Sequence, residues 1–311
     1  MKTMIIASLA LALASPLFAG GEGWMSDFDA AKKKAAEEKK DLLVDFTGSD
    51  WCGWCIRLNE EVFQHDPFKK GIADKFILVE LDYPRDKSKL TDEVIKQNAK
   101  LQEVYKVKGF PTILLMDAKG LPYAQTGYQA GGPEKYVEHL DGLQTRRTER
   151  DRALAEAQKL EGVAKAKAIV TALSSIPSDH HGQYTDLIAQ IEKLDPKDET
   201  GFVAKQKKEA AKAKLETDLN NALRTGSADK GLEAIDTYIT MYQPEGEEKQ
   251  EALFMKANVY AMSQNFDALD KLVTEVIAIK PDSEVAKYVE SIKPRIEAMK
   301  KQVEEAEKES E

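Results

Sequence analysis

Short apolar runs alternate with charged stretches over about the first 145 residues. Four runs have the length of buried strands, at residues 42–46, 76–81, 112–116 and 123–128. Helical periodicity with a charged face covers residues 24–40 and 90–105, and Pro133 begins a closing helix. Strands that alternate with helices predict an α/β domain, with a central mixed sheet flanked by helices.

The second half of the chain has a different pattern. From about Thr145 onward, Ala, Lys, Glu, Leu and Gln dominate, strand signals vanish and helical periodicity continues to the end. Residues 230–244 align with residues 267–281 at an offset of 37, and both segments end in proline. Residues 247–281 resemble a degenerate tetratricopeptide repeat, which is a helix-turn-helix unit. We therefore expect an all-α helical-repeat domain over residues 146–311, with a charged tail that frays.

The N-terminus has the features of a signal peptide. Lys2 supplies a minimal positive region, residues 5–13 are apolar apart from one serine, and Ala19 offers a cleavage point before Gly20. The segment is short for a membrane span, although a retained anchor is the alternative. We expect a signal peptide over residues 1–19, a first domain over 20–145, and a soluble mature protein exported to a periplasm.

Composition narrows the classes of function. Charged residues make up 32% of the chain and aromatic residues 7%, and the formal net charge is −9. Both signs are interspersed and there is no basic stripe with interleaved aromatics, which argues against a nucleic-acid-binding protein.

The motif Cys52-Gly53-Trp54-Cys55 contains the only two cysteines of the chain. Their sulfurs can bond to each other, to a partner's sulfur or to a metal ion. At the start of a helix, two thiols with this spacing form a reversible dithiol/disulfide couple. A structural metal site would need two further ligands, and the sequence has no second such pair. Linear copper(I) ligation by the two thiolates is the metal alternative.

Three segments around this motif resemble thioredoxin in order and approximate spacing. They are Val44-Asp45-Phe46, Trp51-Cys52-Gly53-Trp54-Cys55 and Gly109-Phe110-Pro111-Thr112. The resemblance covers about 120 residues and is closest to exported bacterial thioredoxin-like proteins and to the C-terminal reductase domain of the transmembrane Dsb electron carrier. It implies an α/β thioredoxin-like domain followed by the helical region.

The resemblance also implies a role for each matching residue. Cys52 looks like the attacking nucleophile, Cys55 the resolving thiol, and Pro111 the cis-proline that sets the backbone of Phe110 beside the sulfurs to bind substrate. Asp45 corresponds to a buried acid that can relay the proton of the resolving thiol. The expected substrate-binding residues are Trp51, Gly53, Trp54 and Phe110.

Departures from thioredoxin leave the direction of electron flow open. The loop between the acid and the first cysteine is one residue longer, and Glu80 stands where thioredoxins commonly have Lys. Trp54 replaces a proline, which restores an N–H and favours thiolate, whereas Asp50 adds a nearby negative charge that opposes it.

Two hypotheses follow. In the first, the chain is an exported thiol–disulfide oxidoreductase that acts on protein disulfides, uses no organic cofactor or metal, and exchanges electrons with a redox partner protein. In the second, the helical repeat is a scaffold that recruits protein partners, and the thioredoxin-like domain is a docking or copper(I)-handling module.

Overall fold

The computed structural model describes Gly21 and residues 23–310, which form two compact units. The first unit ends at Thr200 and the second begins at Gly201. The signal peptide expected over residues 1–19 lies outside the described residues. The domain boundary expected after residue 145 falls inside one long helix, Gly132–Ala157.

The first unit is built on a five-stranded mixed sheet. Its strands in chain order are Trp24–Met25 (β1), Asp41–Thr47 (β2), Phe76–Asp82 (β3), Thr112–Met116 (β4) and Pro122–Thr126 (β5). Their spatial order is β1-β3-β2-β4-β5; β1 and β2 are parallel to β3, and β4 is antiparallel to both β2 and β5. The carboxyl ends of β2, β3 and β5 and the start of β4 therefore lie at the same edge of the sheet.

Helices cover this sheet and extend beyond it. They are Phe28–Glu38 (α1), Gly53–Leu58 (α2), a π-helical turn at Asn59–Phe63, Asp66–Ile72 (α3), a 3-10 turn at Lys87–Lys89, Asp92–Val104 (α4), Gly132–Ala157 (α5), Gly162–Ser174 (α6), a 3-10 turn at Ser178–Gln183, and Thr185–Leu194 (α7). The expected helix over residues 24–40 is shorter at its start, because Asp27 caps α1 through a bond from the N–H of Ala30 and the preceding residues pair with β3.

The central strand β2 is buried on both faces, which explains its continuous apolar sequence. Leu42, Val44 and Phe46 contribute to an apolar core with Phe28 of α1 and Tyr105. The alternate positions, which include Asp41 and Asp45, face the other way because side chains alternate along a strand.

Residues beyond 145 contribute to the first unit through a buried polar cluster. Arg150 of α5 donates from Nη1 to Oδ2 of Asp117 at 3.0 Å and to the hydroxyl of Tyr184 at 3.0 Å. The Tyr184 hydroxyl in turn donates to the carbonyl of Pro122 in β5 at 2.9 Å. These bonds join the helical segment to the sheet, so the change in composition near Thr145 does not mark the end of this unit.

The second unit is helical. Its helices are Phe202–Thr225 (α8), Ala228–Tyr242 (α9), Gly246–Phe254 (α10), Lys256–Met262 (α11), Phe266–Ile279 (α12) and Glu284–Ser310 (α13). The two segments that align at an offset of 37 coincide with α9 and α12, and both helices end just before the aligned prolines. The tetratricopeptide resemblance itself stays a prediction.

None of the described helices combines the length and the apolar character needed to cross a membrane.

Candidate active site

The two cysteines follow the loop that connects the carboxyl end of β2 to α2, at one edge of the sheet. Cys52 is the N-cap residue of α2, and the N–H of Cys55 donates to its sulfur at 3.3 Å. The two sulfurs are bonded to each other, with an S–S distance of 2.17 Å, and both residues are buried. The motif thus adopts the oxidised form of a dithiol couple.

The loop that carries Cys52 is fixed to the end of β3 by polar contacts. Ser49 donates to the carboxylate of Asp82 from its N–H at 2.9 Å and from its hydroxyl at 2.6 Å. Asp50 accepts from the N–H groups of Arg85 and Asp86, and the first of these bonds is the main cause that lowers the pKa of Asp50. The extra residue in this loop is therefore accommodated by contacts with the segment that follows β3.

Three aromatic residues form a cluster around Trp51, the residue that precedes the first cysteine. Trp51, directly before Cys52, has its ring 5.7 Å from that of Phe110 in an edge-on arrangement. Its Nε1 donates to the carbonyl of Tyr83 at 2.8 Å, and the ring of Tyr83 lies 5.1 Å from that of Phe110. The peptide bond between Phe110 and Pro111 is cis. Trp51 and Phe110, both expected in the site, are therefore in contact.

A second cluster surrounds Trp54, which directly precedes Cys55. The ring of Trp54 lies 5.1 Å from that of Tyr128, and the guanidinium of Arg57 lies 5.5 Å and 5.2 Å from the two ring centres. Glu61 completes the cluster, because it accepts from Arg57 Nε at 2.5 Å and from the Tyr128 hydroxyl at 2.6 Å. At the remaining motif position, Gly53, an added Cβ would meet nothing within 4 Å, so the surface there is open.

Asp45 lies two residues before the carboxyl end of β2, directly opposite Glu80 of β3. Its Oδ1 is buried without a hydrogen-bond partner. Burial raises the pKa of Asp45 well above its ordinary value, and the negative charges of Glu80 and Asp82 act in the same direction. Burial, together with the charge of Asp82, also raises the pKa of Glu80 to about 7. The structure gives Asp45 no hydrogen bond to either cysteine among the described residues.

Asp45 also faces the helix that closes the domain. Its charge contributes to the raised pKa of Tyr136 in α5, after the larger effect of burial. The hydroxyl of Tyr136 donates to the carbonyl of Gly127 at 3.1 Å. The buried acids therefore lie on the face of the sheet covered by α5.

Comparison with known proteins identifies the fold. The model of the thioredoxin-like domain family matches residues 28–144. The disulfide bond reductase DsbH of Chlamydia pneumoniae is 34% identical over 122 residues, which are 39% of this chain and 72% of that protein. The chain belongs to the thioredoxin-like family. The structure adds that in this thioredoxin-like protein the cysteine pair is bonded, and that the tryptophan preceding each cysteine packs against a second aromatic ring.

Two further comparisons involve the same part of this thioredoxin-like chain. The thioredoxin-related protein DsbJ of Chlamydia pneumoniae is 30% identical over 119 residues, which are 36% of this chain and only 34% of that protein. A solved structure described as DsbH oxidoreductase has 30% identity and a TM-score of 0.38, and the match covers 44% of this chain and 94% of that one.

Every site residue expected from the sequence falls within the part matched by the thioredoxin-like family. The relatives, the fold and the bonded cysteines together assign thiol–disulfide oxidoreductase chemistry to this part of the chain. The sequence reasoning missed Tyr83, Tyr128, Arg57 and Glu61. The sequence offered one signal for the tyrosines: Tyr83 comes shortly after the predicted strand 76–81, and Tyr128 ends the predicted strand 123–128.

Proposed function

We propose that this chain is an exported thioredoxin-like reductase of protein disulfides. The observation that carries the proposal is the bonded Cys52–Cys55 pair at the start of α2, at the sheet edge where Phe110-Pro111 and two exposed tryptophans also lie. The name of the relative DsbH, a disulfide bond reductase, supports the direction of electron flow. Export is expected from the signal peptide features of residues 1–19.

The reaction is two successive thiol–disulfide exchanges. In the reduced protein, the Cys52 thiolate attacks one sulfur of the substrate disulfide; a mixed disulfide forms and the first substrate thiolate leaves. The Cys55 thiolate then attacks the sulfur of Cys52, and the second substrate thiolate leaves. The substrate has gained two electrons, and the protein is left with the Cys52–Cys55 disulfide seen in the structure.

Asp45 is proposed to take the proton that Cys55 must lose before the second step. A carboxylate whose pKa is raised by burial and by two neighbouring acids is a stronger base than an ordinary aspartate. Its Oδ1 has no hydrogen-bond partner, which leaves that oxygen available to a proton carried by a thiol or by a water molecule.

The substrate is proposed to lie extended across the two tryptophans. The Phe110 backbone next to the cis bond would pair with the substrate chain, and the rings of Trp51 and Trp54 would contact its side chains. A protein partner must then supply two electrons to reduce the Cys52–Cys55 disulfide before the next turnover.

The test uses the full mature chain, reduced and mixed with insulin as a disulfide substrate. We expect insulin reduction by the wild type, none by Cys52→Ser, and a trapped mixed disulfide with Cys55→Ser. Reduction that persists in Cys52→Ser would contradict the proposal. A reduction potential near about −270 mV would support a reductase, whereas one near about −120 mV would reverse the direction of electron flow.

The second candidate function is that of a scaffold protein, and one observation supports it. The second unit has a cavity of about 710 Å³ between α8 and α9, lined in part by Leu215, Tyr238 and the exposed Met241. Two results together would favour the scaffold hypothesis. Cys55→Ser would trap no protein as a mixed disulfide in cells, and a full-length variant without either cysteine would still bind a protein partner in a pulldown.

A further inference from the structure

Each of the two cysteines is preceded by a tryptophan, and each tryptophan is accompanied by an arginine. Trp51 is 39% exposed and the guanidinium of Arg85 lies 5.9 Å from its ring centre. The ring is held in place by its bond to the Tyr83 carbonyl and by its edge-on contact with Phe110. Because the ring is fixed, the cation–π attraction also limits the positions that the Arg85 guanidinium can take.

The second pair is held more firmly. Trp54 is 53% exposed, and Arg57 lies over both its ring and that of Tyr128. Glu61 accepts from Nε of Arg57 through one oxygen and from the Tyr128 hydroxyl through the other. Among residues 23–310, Arg57 has no ion pair besides the one with Glu61, and the Arg85 side chain has neither a hydrogen bond nor an ion pair.

The acidic groups near these arginines are already engaged. Glu61 is bonded to Arg57 and Tyr128, and Asp50 is bonded to two backbone N–H groups and lies 3.6 Å from Lys89. The two arginines are exposed, and each guanidinium lies against the tryptophan that precedes one of the cysteines, in a chain whose net charge is −9. A planar guanidinium fixed by stacking is suited to accept a carboxylate in two parallel hydrogen bonds.

We propose that the Trp51–Arg85 and Trp54–Arg57 pairs select substrate segments that carry Asp or Glu beside the reacting cysteine. The inference rests on the proposed reductase function and adds the charge of its substrate. An acidic chain repels an acidic segment over most of its surface, so the two arginines give such a segment one favourable place to bind, beside the sulfurs. A basic segment would face the arginines with like charge.

The test compares three disulfide-bonded peptide dimers that differ only in the two residues flanking their cysteine: Glu, Gln or Lys. The rate constant for reduction by the full reduced chain is divided by that for reduction by dithiothreitol, an otherwise uncharged thiol, which corrects for the intrinsic reactivity of each peptide. We expect the Glu peptide to react about 10-fold faster than the Lys peptide at about 50 mM salt, with a smaller ratio at about 500 mM salt.

Variants assign this preference to the two arginines. Arg57→Gln and Arg85→Gln should each lower the Glu-to-Lys ratio, and the double variant should bring it close to one. Arg152→Gln, at an exposed position of α5, is the matched control and should leave the ratio unchanged. Equal rates for all three peptides with the wild type would overturn the charge preference but not the reductase function. If not even the Gln peptide is reduced, the reductase function fails and the charge preference falls with it.

Discussion

Two aspartates of β2, four residues apart, are buried to nearly the same extent but have very different surroundings. Asp41 is 3% exposed; it forms an ion pair with Arg147 and accepts from the Tyr123 hydroxyl at 2.8 Å. Asp45 is 5% exposed, and among the described residues its Oδ1 has neither a hydrogen bond nor an ion pair, whereas the Oδ1 of Asp41, which also lacks a hydrogen bond, is paired with Arg147. Both side chains project from the same face of the sheet, so the strand itself does not explain the difference.

The acidic residues near each aspartate differ in the same way. Near Asp41, the buried Asp117 accepts from Arg150 and from two backbone N–H groups. Near Asp45, the neighbours are Glu80 and Asp82, which are acids themselves. A buried carboxylate with a cation holds elements together, whereas one among other acids is poised to bind a proton. The end of the sheet near the dithiol is the end where buried charge is left uncompensated.

The largest effect on stability is expected from removing Arg150, the cation that pairs with Asp117 at the end of the sheet near Asp41. Arg150→Ala leaves both Asp117 and the Tyr184 hydroxyl without this donor, and should lower the free energy of unfolding by about 3–5 kcal/mol. Urea unfolding followed by tryptophan fluorescence is a suitable measurement, because all three tryptophans lie in the first unit. Arg152→Ala, exposed on the same helix, should change stability by less than about 0.5 kcal/mol. A loss below about 1 kcal/mol for Arg150→Ala would mean that the pair is not important for stability.

The next prediction concerns the rate of disulfide reduction, which should depend on Asp45 but not on Asp41. Asp45→Asn should lower the rate of disulfide reduction by about 10²-fold, because the proton acceptor for Cys55 is lost. Its stability should rise relative to wild type at pH 8 and change little at pH 4, since burial raises the pKa of Asp45 and penalises only its charged form.

Asp41→Asn is the matched control for this prediction. It should destabilise the protein by about 1–3 kcal/mol at pH 7, because it weakens the pairing with Arg147 and Tyr123, and the rate per folded molecule should not change. Equal rate losses in the two variants would show that the contrast between the two ends of β2 has no catalytic meaning.

Glu80→Gln tests whether the acids around Asp45 act together. The pKa of Glu80 is about 7 in the folded protein and about 4.5 in the unfolded chain, so the folded state binds more protons between these values and stability falls as pH rises through them. Glutamine removes this fall, which should stabilise the variant by about 3 kcal/mol at pH 8 and little at pH 4. The pH midpoint of activity should move lower, because Asp45 loses a negative neighbour. Glu103→Gln, on the exposed side of α4, should retain the wild-type pH dependence.

The sequence was sufficient for the parts of the fold that rest on local pattern. β2, β3 and β4 are buried, so their apolar runs identify them, and the motif itself locates the disulfide. β1 has only two residues and no period, so it was assigned to the helix that follows. In the polar cluster, Arg150 binds Asp117 and Tyr184, which are 33 and 34 positions away from it in the sequence. No periodicity of the sequence reveals pairs that far apart.

The same distinction applies to the site. Arg57 and Glu61 are four residues apart, so their ion pair could be expected from helical spacing. That Tyr128 joins them depends on β5 running parallel to β2, which the sheet topology alone decides. Likewise, Glu80 was noted as a departure from thioredoxin, but only the register places it directly opposite Asp45.

The smallest effect is expected from two buried tyrosines, Tyr123 near Asp41 and Tyr136 near Asp45. Tyr123 donates to the charged Asp41, whereas Tyr136 donates to the neutral carbonyl of Gly127. A hydrogen bond to a charged acceptor contributes more, so Tyr123→Phe should cost about 1.5 kcal/mol and Tyr136→Phe about 0.5–1 kcal/mol in urea unfolding at pH 7. In the Asp41→Asn background, where the acceptor is neutral, most of the difference between the two variants should be lost. A difference that persists in that background would indicate that packing of the rings, and not the charge of Asp41, distinguishes Tyr123 from Tyr136.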